Sequence, residues 1–322
     1  MKAFVYNGGK DFAIQELPIP EAEAGEAIAR ILCASICGTD LRTYRFGNEK
    51  LKTPITIGHE ACYQIVDSGK NASLSGRYIV APAIGCGRCR SCKKGRTNMC
   101  DSLQTIGFQY PGTFAEYIRI PAEAIDRGHL IRVPDHVSNQ AASVVEPVAC
   151  AINAQSYLKI EDGDSVLIYG AGYLGCIHAE LARMQGARTV MIAEVSENRR
   201  NRAKELVPDA DVINSYDKAY MDQVRDNVGG SGVDVVITAC PAGITHRQGL
   251  ELLNKNGRMS LFGGLPGGNN FHLDSNLIHY KEAGVFGAHA STVEQNRQAL
   301  ELVASGRLNV EKYITEFALE DV

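Results

Sequence analysis

The chain has 322 residues, 45% hydrophobic and 22% charged, with 33 Lys and Arg against 37 Asp and Glu for a formal charge of −4. That is ordinary globular usage over about two domains' worth of chain, and it excludes a disordered or fibrous protein. There is no basic excess, no long basic run and no stretch of about 18 apolar residues, so neither a nucleic acid nor a membrane is an expected partner.

Ten cysteines occur in a chain whose opening residues, MKAFVYNGGKDFAIQELPIP, carry no long apolar core. The expected compartment is the cytoplasm, where thiols stay reduced and serve metals or catalysis rather than disulfides. Up to about residue 150 the sequence reads as short β runs broken by Gly and Pro, at 27–32, 65–66, 77–81 and 114–120. Such runs joined by turns build a barrel-like or sandwich-like unit. Residues 137–158 take a helical period through Ala141, Val144, Val148 and Ile152. Beyond Gly163, apolar runs at 165–169, 189–194, 233–239, 258–262 and 284–288 alternate with helical stretches. Buried strands alternating with helices predict a doubly wound parallel sheet.

The second unit opens on a chemical motif. The run at 165–169 is followed by Gly170-Ala171-Gly172-Tyr173-Leu174-Gly175 and then by a helical stretch at 176–185. Glu194 ends the next run, 19 residues past Gly175. Strand, glycine loop, helix and trailing carboxylate together form a dinucleotide-binding arrangement. Gly170 permits the tight turn, Gly172 lets backbone N–H groups approach a pyrophosphate, and Gly175 lets helix and strand pack closely. The bland reading is a glycine-rich turn with no ligand, and the strand–helix context and the acidic residue both speak against it.

A second motif lies earlier, Cys86-Gly-Arg-Cys89-Arg-Ser-Cys92 and then Cys100. Four thiols on one short lobe can close around one tetrahedral ion, and Arg88, Arg90, Lys93, Lys94 and Arg96 offset their charge. An iron–sulfur cluster is the alternative, but the ferredoxin run has three residues before its last Cys and a Pro after it. Here seven residues intervene and Asp101 follows, so the lobe reads as a structural zinc site. A third constellation is dispersed: Cys37-Gly38-Thr39-Asp40, then Gly58-His59-Glu60, then Glu146-Pro147. Thiol, imidazole and carboxylate are the ligand types of a catalytic zinc, although a lone Cys or His is more often a packed core residue.

These motifs, in this order, resemble the zinc-containing medium-chain alcohol dehydrogenase superfamily over essentially the whole chain, most closely its polyol branch of sorbitol and iditol dehydrogenases. The resemblance implies a GroES-like, mainly-β catalytic domain at 1–151 and 291–322 carrying two zinc ions, and a Rossmann NAD-binding domain at 152–290. It implies that Cys37, His59 and either Glu60 or Glu146 hold the catalytic zinc, with Glu60 bound and Glu146 touching the zinc water. One thiolate and one carboxylate neutralise Zn²⁺, whereas a second carboxylate would weaken it as a Lewis acid. Asp40 is then the partner that fixes the His59 tautomer. Thr39 relays the proton of a substrate hydroxyl outward while hydride passes to the nicotinamide. Glu194 accepts from the adenosine ribose hydroxyls and favours NAD, with Arg199 packing over the adenine. Many relatives carry His where Arg42 stands, and a permanently charged guanidinium cannot act as that base, so an anion contact is expected instead. Relatives usually continue past Glu320-Asp321-Val322, and the loop at 71–77 looks short. The expected activity is NAD-dependent oxidation of a polyol or other secondary alcohol by a dimer or tetramer. A sugar-alcohol phosphate, a threonine-like amino alcohol or a cyclitol is the alternative substrate. A non-catalytic metal- and nucleotide-binding protein is the remote one.

Overall fold

The computed structural model describes residues 1–49, 51–69, 74–265 and 272–322. Residues 71–73 of the short loop noted above lie outside the described residues. The chain divides into two compact units, Met1–Ala149 with Ala290–Val322, and Cys150–His289.

The first unit is built from short antiparallel strands. Five of them, Leu130–Arg132, Arg77–Val80, Glu60–Asp67, Ala27–Ser35 and Tyr117–Ile120, pair in that spatial order. Their inward residues, among them Tyr63, Ile65, Val80, Ile118 and Ile120, make one apolar cluster. A second sheet joins Asp11–Glu16, Lys2–Gly8 and Ile55–Thr56. The hairpin at its start was not among the β runs expected from the sequence. The expected helix at 137–158 is two helices, Asn139–Ser143 and Val145–Ser156. Pro147 explains the break, because it has no N–H to give to Ser143 O four residues back and its ring crowds that carbonyl.

The second unit is a six-stranded, wholly parallel sheet. Across the sheet the strands run Asp211–Asn214, Thr189–Glu194, Ser165–Tyr169, Val233–Thr238, Leu253–Leu261 and Gly284–Gly287. In chain order this is 3-2-1-4-5-6, with the order reversing between Ser165–Tyr169 and Val233–Thr238. All five residues of Ser165–Tyr169 are buried, as a strand covered on both faces must be. The doubly wound sheet and the mainly-β first unit agree with the fold class read from the sequence. Strand Leu253–Leu261 starts earlier than the apolar run at 258–262 because polar Asn254, Lys255 and Asn256 precede that run. At the sheet edge, Lys281 ends the helix Ser275–Lys281. Its Nζ donates to the carbonyls of Leu250, Glu251 and Leu253 at 2.9, 2.9 and 2.6 Å, closing the end of helix Ile244–Leu252.

One buried base in this unit makes stability depend on pH. His178, on the helix Tyr173–Met184, is fully buried with its ring edge-on to Phe262 at 4.6 Å. Gln155 Nε2 lies 3.1 Å from His178 Nδ1 and donates to His178 O at 2.9 Å, so Nδ1 is assigned as the acceptor and the ring as neutral. Burial pushes this imidazole down to about 3. The unfolded chain therefore takes up the proton first as pH falls through the ordinary histidine range. Stability present above about pH 6.5 is lost progressively toward pH 3, by up to about 5 kcal/mol. His178→Gln should flatten that limb in denaturant melts across the window; equal slopes for the variant and the wild type would show that His178 does not carry it.

Candidate metal and dinucleotide sites

In the first unit, Gly58 turns the chain into the strand Glu60–Asp67. Its φ is +93°, and a Cβ there would sit 2.6 Å from Thr113 Oγ1, so the turn admits only glycine. The turn delivers His59 and Glu60 against Cys37, which caps the helix Gly38–Phe46. One donor atom from each of Cys37, His59 and Glu60 lies within 4.8 Å of the others. His59 and Glu60 are 8% and 3% exposed. His59 Nδ1 faces Asp40 Oδ1 at 3.7 Å, while Nε2 faces Glu60 Oε1 at 3.9 Å. Asp40 is itself fixed, because its Oδ2 accepts from Cys37 N at 2.9 Å. The Asp40 side of the ring is thus turned away from the cluster and Nε2 into it. Ser35, directly opposite Glu60 in the strand pairing, donates its hydroxyl to Glu60 Oε2.

Charge decides what this cluster fits. Without a cation, burial pushes Cys37 up, and burial together with the nearby Glu146 carboxylate pushes Glu60 up to about 8. Burial alone would lower His59, yet Cys37, Asp40 and Glu60 around it hold it well above the ordinary imidazole value. A soft thiolate, an imidazole and a carboxylate at this spacing suit Zn²⁺, whose charge the thiolate and carboxylate would neutralise. Glu146 lies in the first turn of Val145–Ser156, 9% exposed, and is not one of the three gathered donors. Thr39 is half-buried in the first turn of Gly38–Phe46, and Arg42 is exposed on the same helix.

The four lobe thiols, of Cys86, Cys89, Cys92 and Cys100, also lie within 4.8 Å of one another. Backbone N–H groups already point at their sulfurs. Cys86 N and Ser102 N donate to Cys100 Sγ at 3.2 and 3.3 Å, Cys89 N to Cys86 Sγ at 3.4 Å and Cys92 N to Cys89 Sγ at 3.5 Å. The Arg88 and Cys89 N–H groups draw the Cys86 thiol down to about 6, while burial drives Cys92 up to about 12. One closed ion would let all four carry charge together, and no fifth donor stands with them among the described residues.

In the second unit, Gly170 has φ +105°, and a Cβ on Gly175 would fall 1.8 Å from Gly170 O, so loop and helix approach at a distance only glycine permits. Gly172 precedes the helix Tyr173–Met184 with no side chain capping its start, and a Cβ there would meet nothing within 4 Å. Tyr173 and Leu174 are half-buried in the first turn. The loop therefore presents open backbone at a helix N-terminus, a fit for a pyrophosphate. It stands at the carboxyl end of Ser165–Tyr169, where the strand order reverses and open α/β sheets take their ligands. Glu194 is 4% exposed and accepts from Ala171 N at 2.9 Å, Ser196 N at 2.8 Å and Arg199 Nη2 at 2.7 Å. Burial opposes its charge, but these donors outweigh it and hold the carboxyl below its usual value. Sequence reasoning did not single out Ser35 or the Ala171 N–H. Strand alternation puts Ser35 on the same face as Cys33, whereas a backbone donor leaves no side-chain signal.

If the lobe is a closed structural site, Cys92→Ser should lose one zinc per chain and lower the melting temperature by several degrees while sparing substrate turnover per folded molecule. Normal melting with a selective loss of turnover would make the lobe functional instead.

Comparison with known proteins agrees with this architecture. The Alcohol dehydrogenase GroES-like domain family matches residues 23–135, and the Zinc-binding dehydrogenase family matches residues 174–305. L-threonine 3-dehydrogenase of Pyrococcus furiosus is 33% identical over 307 residues, 93% of this chain and 86% of that protein. Sorbitol dehydrogenase of Bacillus subtilis is 27% identical, covering 99% of this chain and 91% of that protein. Among solved structures, a zinc-binding dehydrogenase from Sinorhizobium meliloti bound to NADP is 29% identical. It superposes with a TM-score of 0.87 over 96% of this chain and 89% of its own. The chain belongs to the zinc-containing medium-chain alcohol dehydrogenase superfamily, a family of nicotinamide-dependent oxidoreductases.

Proposed function

We propose that this protein oxidises a secondary alcohol of a polyol, sorbitol- or iditol-like, with NAD as hydride acceptor, using two Zn²⁺ per subunit. The observation that carries this is the gathering of Cys37, His59 and Glu60 within 4.8 Å in a buried cluster. The domain assignment expected from the sequence, 1–151 with 291–322 and 152–290, belongs to this reading, as does a homo-oligomer of two or four subunits. The five thiols proposed as ligands serve metals only while reduced, which supports residency in the cytoplasm. Among the described residues no helix is long and apolar enough to cross a membrane.

Cys37, His59 and Glu60 would hold the catalytic Zn²⁺, and Cys86, Cys89, Cys92 and Cys100 the structural one. When bound at the first site, Zn²⁺ polarises the substrate hydroxyl and makes its proton easier to remove. The protein's own groups do the rest. Asp40, whose carboxylate lies 3.7 Å from His59 Nδ1, would orient the ring so that Nε2 faces the metal. Thr39, two residues from Cys37, offers the hydroxyl that passes the substrate proton outward. Glu146 adds negative charge beside Glu60, which favours transient exchange of one carboxylate for the other. In the second unit the Gly172 backbone would bind the pyrophosphate, and Glu194 and Arg199 the adenosine end.

The higher identity to threonine dehydrogenases favours a second reading, oxidation of a threonine-like amino alcohol. NAD⁺ reduction followed spectrophotometrically over free polyols, phosphorylated polyols and L-threonine separates the two. The phosphorylated arm also reads whether Arg42 meets a substrate phosphate. Cys37→Ser should abolish every activity in the panel and leave one zinc per chain with NAD binding intact; a variant that kept two zincs and normal turnover would remove Cys37 from the site.

NAD is proposed over NADP because a 2′-phosphate would stand against the Glu194 carboxylate. At about 4 Å and an effective dielectric of 20 such a pair is worth roughly 4 kcal/mol before relaxation, and a third of that is about tenfold in affinity. Against this stand Arg199, bound to the same carboxylate, and the NADP held by the S. meliloti relative. Comparing kcat/KM with both cofactors, the wild type should prefer NAD by about tenfold or more and Glu194→Ala should narrow the margin. A wild type that prefers NADP would overturn this reading of the strand end.

A further inference from the structure

The position of Ser35 carries an inference about the metal centre that rests on the ligand reading above. Ser35 and Glu60 are direct partners in the antiparallel pairing of Ala27–Ser35 with Glu60–Asp67, so their side chains leave the same face of the sheet at neighbouring points. The backbone therefore imposes the contact between the hydroxyl and Glu60 Oε2. The second oxygen of that carboxylate is the one that faces His59 Nε2.

The hydroxyl has a further neighbour, Ser143 O, at 3.2 Å. That carbonyl ends the short helix Asn139–Ser143, and Pro147, four residues on, has no N–H to occupy it. Ser35 carries a single proton and sits between two acceptors. Given to Glu60, that proton fixes one carboxylate oxygen; given to Ser143 O, it leaves the carboxylate free to turn without stranding a half-buried hydroxyl. Glu146, whose carboxylate bears on Glu60, stands in the first turn of the next helix, three residues after Ser143.

We propose that Ser35 is a positioning residue for the metal centre. Its hydroxyl, donated to Glu60 Oε2, turns Oε1 toward Cys37 and His59 and makes Glu60 rather than Glu146 the resting carboxylate ligand. The alternative acceptor, Ser143 O, makes release of Glu60 cheap, so the same hydroxyl serves both the bound and the released carboxylate.

The test uses the full-length zinc-loaded protein and reads metal retention, not turnover alone. Zinc per chain is followed during competition with phenanthroline for the wild type, Ser35→Ala, Ser35→Thr and Cys37→Ser, with melting curves to show that each variant is folded. Removing a partner of a metal ligand typically costs about tenfold or more in metal affinity. Ser35→Ala should therefore lose one of its two zincs about tenfold more readily, Ser35→Thr should restore retention, and the lobe zinc should stay put in both. In cobalt-substituted protein the visible spectrum of the catalytic site should shift in Ser35→Ala and return in Ser35→Thr. Retention and spectrum equal to wild type in Ser35→Ala, or a threonine variant as impaired as the alanine one, would overturn the proposal. The control separates the two layers: if Cys37→Ser keeps both zincs the ligand reading itself fails, and if it loses one while Ser35→Ala behaves as wild type only the role of Ser35 fails.

Discussion

A buried cluster of potential anions gathered around one imidazole is the constraint around which the first unit is organised. Cys37, Asp40 and Glu60 crowd one imidazole, and burial together with the nearby Glu146 carboxylate drives Glu60 up to about 8. An apolar substitution would pack more cheaply than carboxylates pushed this far from their ordinary range. The surrounding structure nevertheless spends a left-handed glycine at Gly58, a helix cap at Cys37 and a strand-pair hydroxyl at Ser35 to keep these groups together. Such an arrangement is coherent once a divalent cation supplies the missing charge.

The lobe solves a related problem by the opposite route. Two of its thiols, Cys86 and Cys89, are half-buried, and backbone N–H groups stand at its sulfurs. Exposed Arg88, Arg90, Lys93 and Lys94 surround it. Here solvent and nearby cations share the charge, so the lobe needs no deep pocket. The first cluster has a half-buried thiol, a single imidazole and a carboxylate with two possible tenants, the makings of a site that exchanges partners.

Much of the fold class is legible in the sequence because the two units follow different periods. Runs with continuous apolar stretches such as 166–169 and 190–193 point to a sheet covered on both faces, and the structure has the two strands where the runs lie. The motif residues were legible for a similar reason: glycine, cysteine and histidine at fixed offsets answer to geometry that few other residues meet. What escaped is what depends on contacts between distant segments. The Ser35–Glu60 pair exists only because two strands 25 positions apart take one register, and a one-residue slip would send the hydroxyl to the other face. The hairpin Lys2–Gly8 with Asp11–Glu16 escaped because its strands mix polar and apolar residues without clean alternation. The break between the helices at 139–143 and 145–156 was written in Pro147, but its meaning emerges only once Ser143 O is seen facing Ser35.

Lys281 has a consequence for how the edge of the parallel sheet can be watched in solution. All three of its ammonium protons are spent on the carbonyls of Leu250, Glu251 and Leu253, and the side chain is half-buried. An amine committed in this way is a poor target for acylating reagents, whereas lysines such as Lys93 and Lys94 are exposed to them. The rate at which Lys281 is acylated therefore reports how often the helix Ser275–Lys281 lifts from its neighbour. A lysine footprint read by mass spectrometry turns this latch into a built-in clock for local opening of the sheet's outer edge.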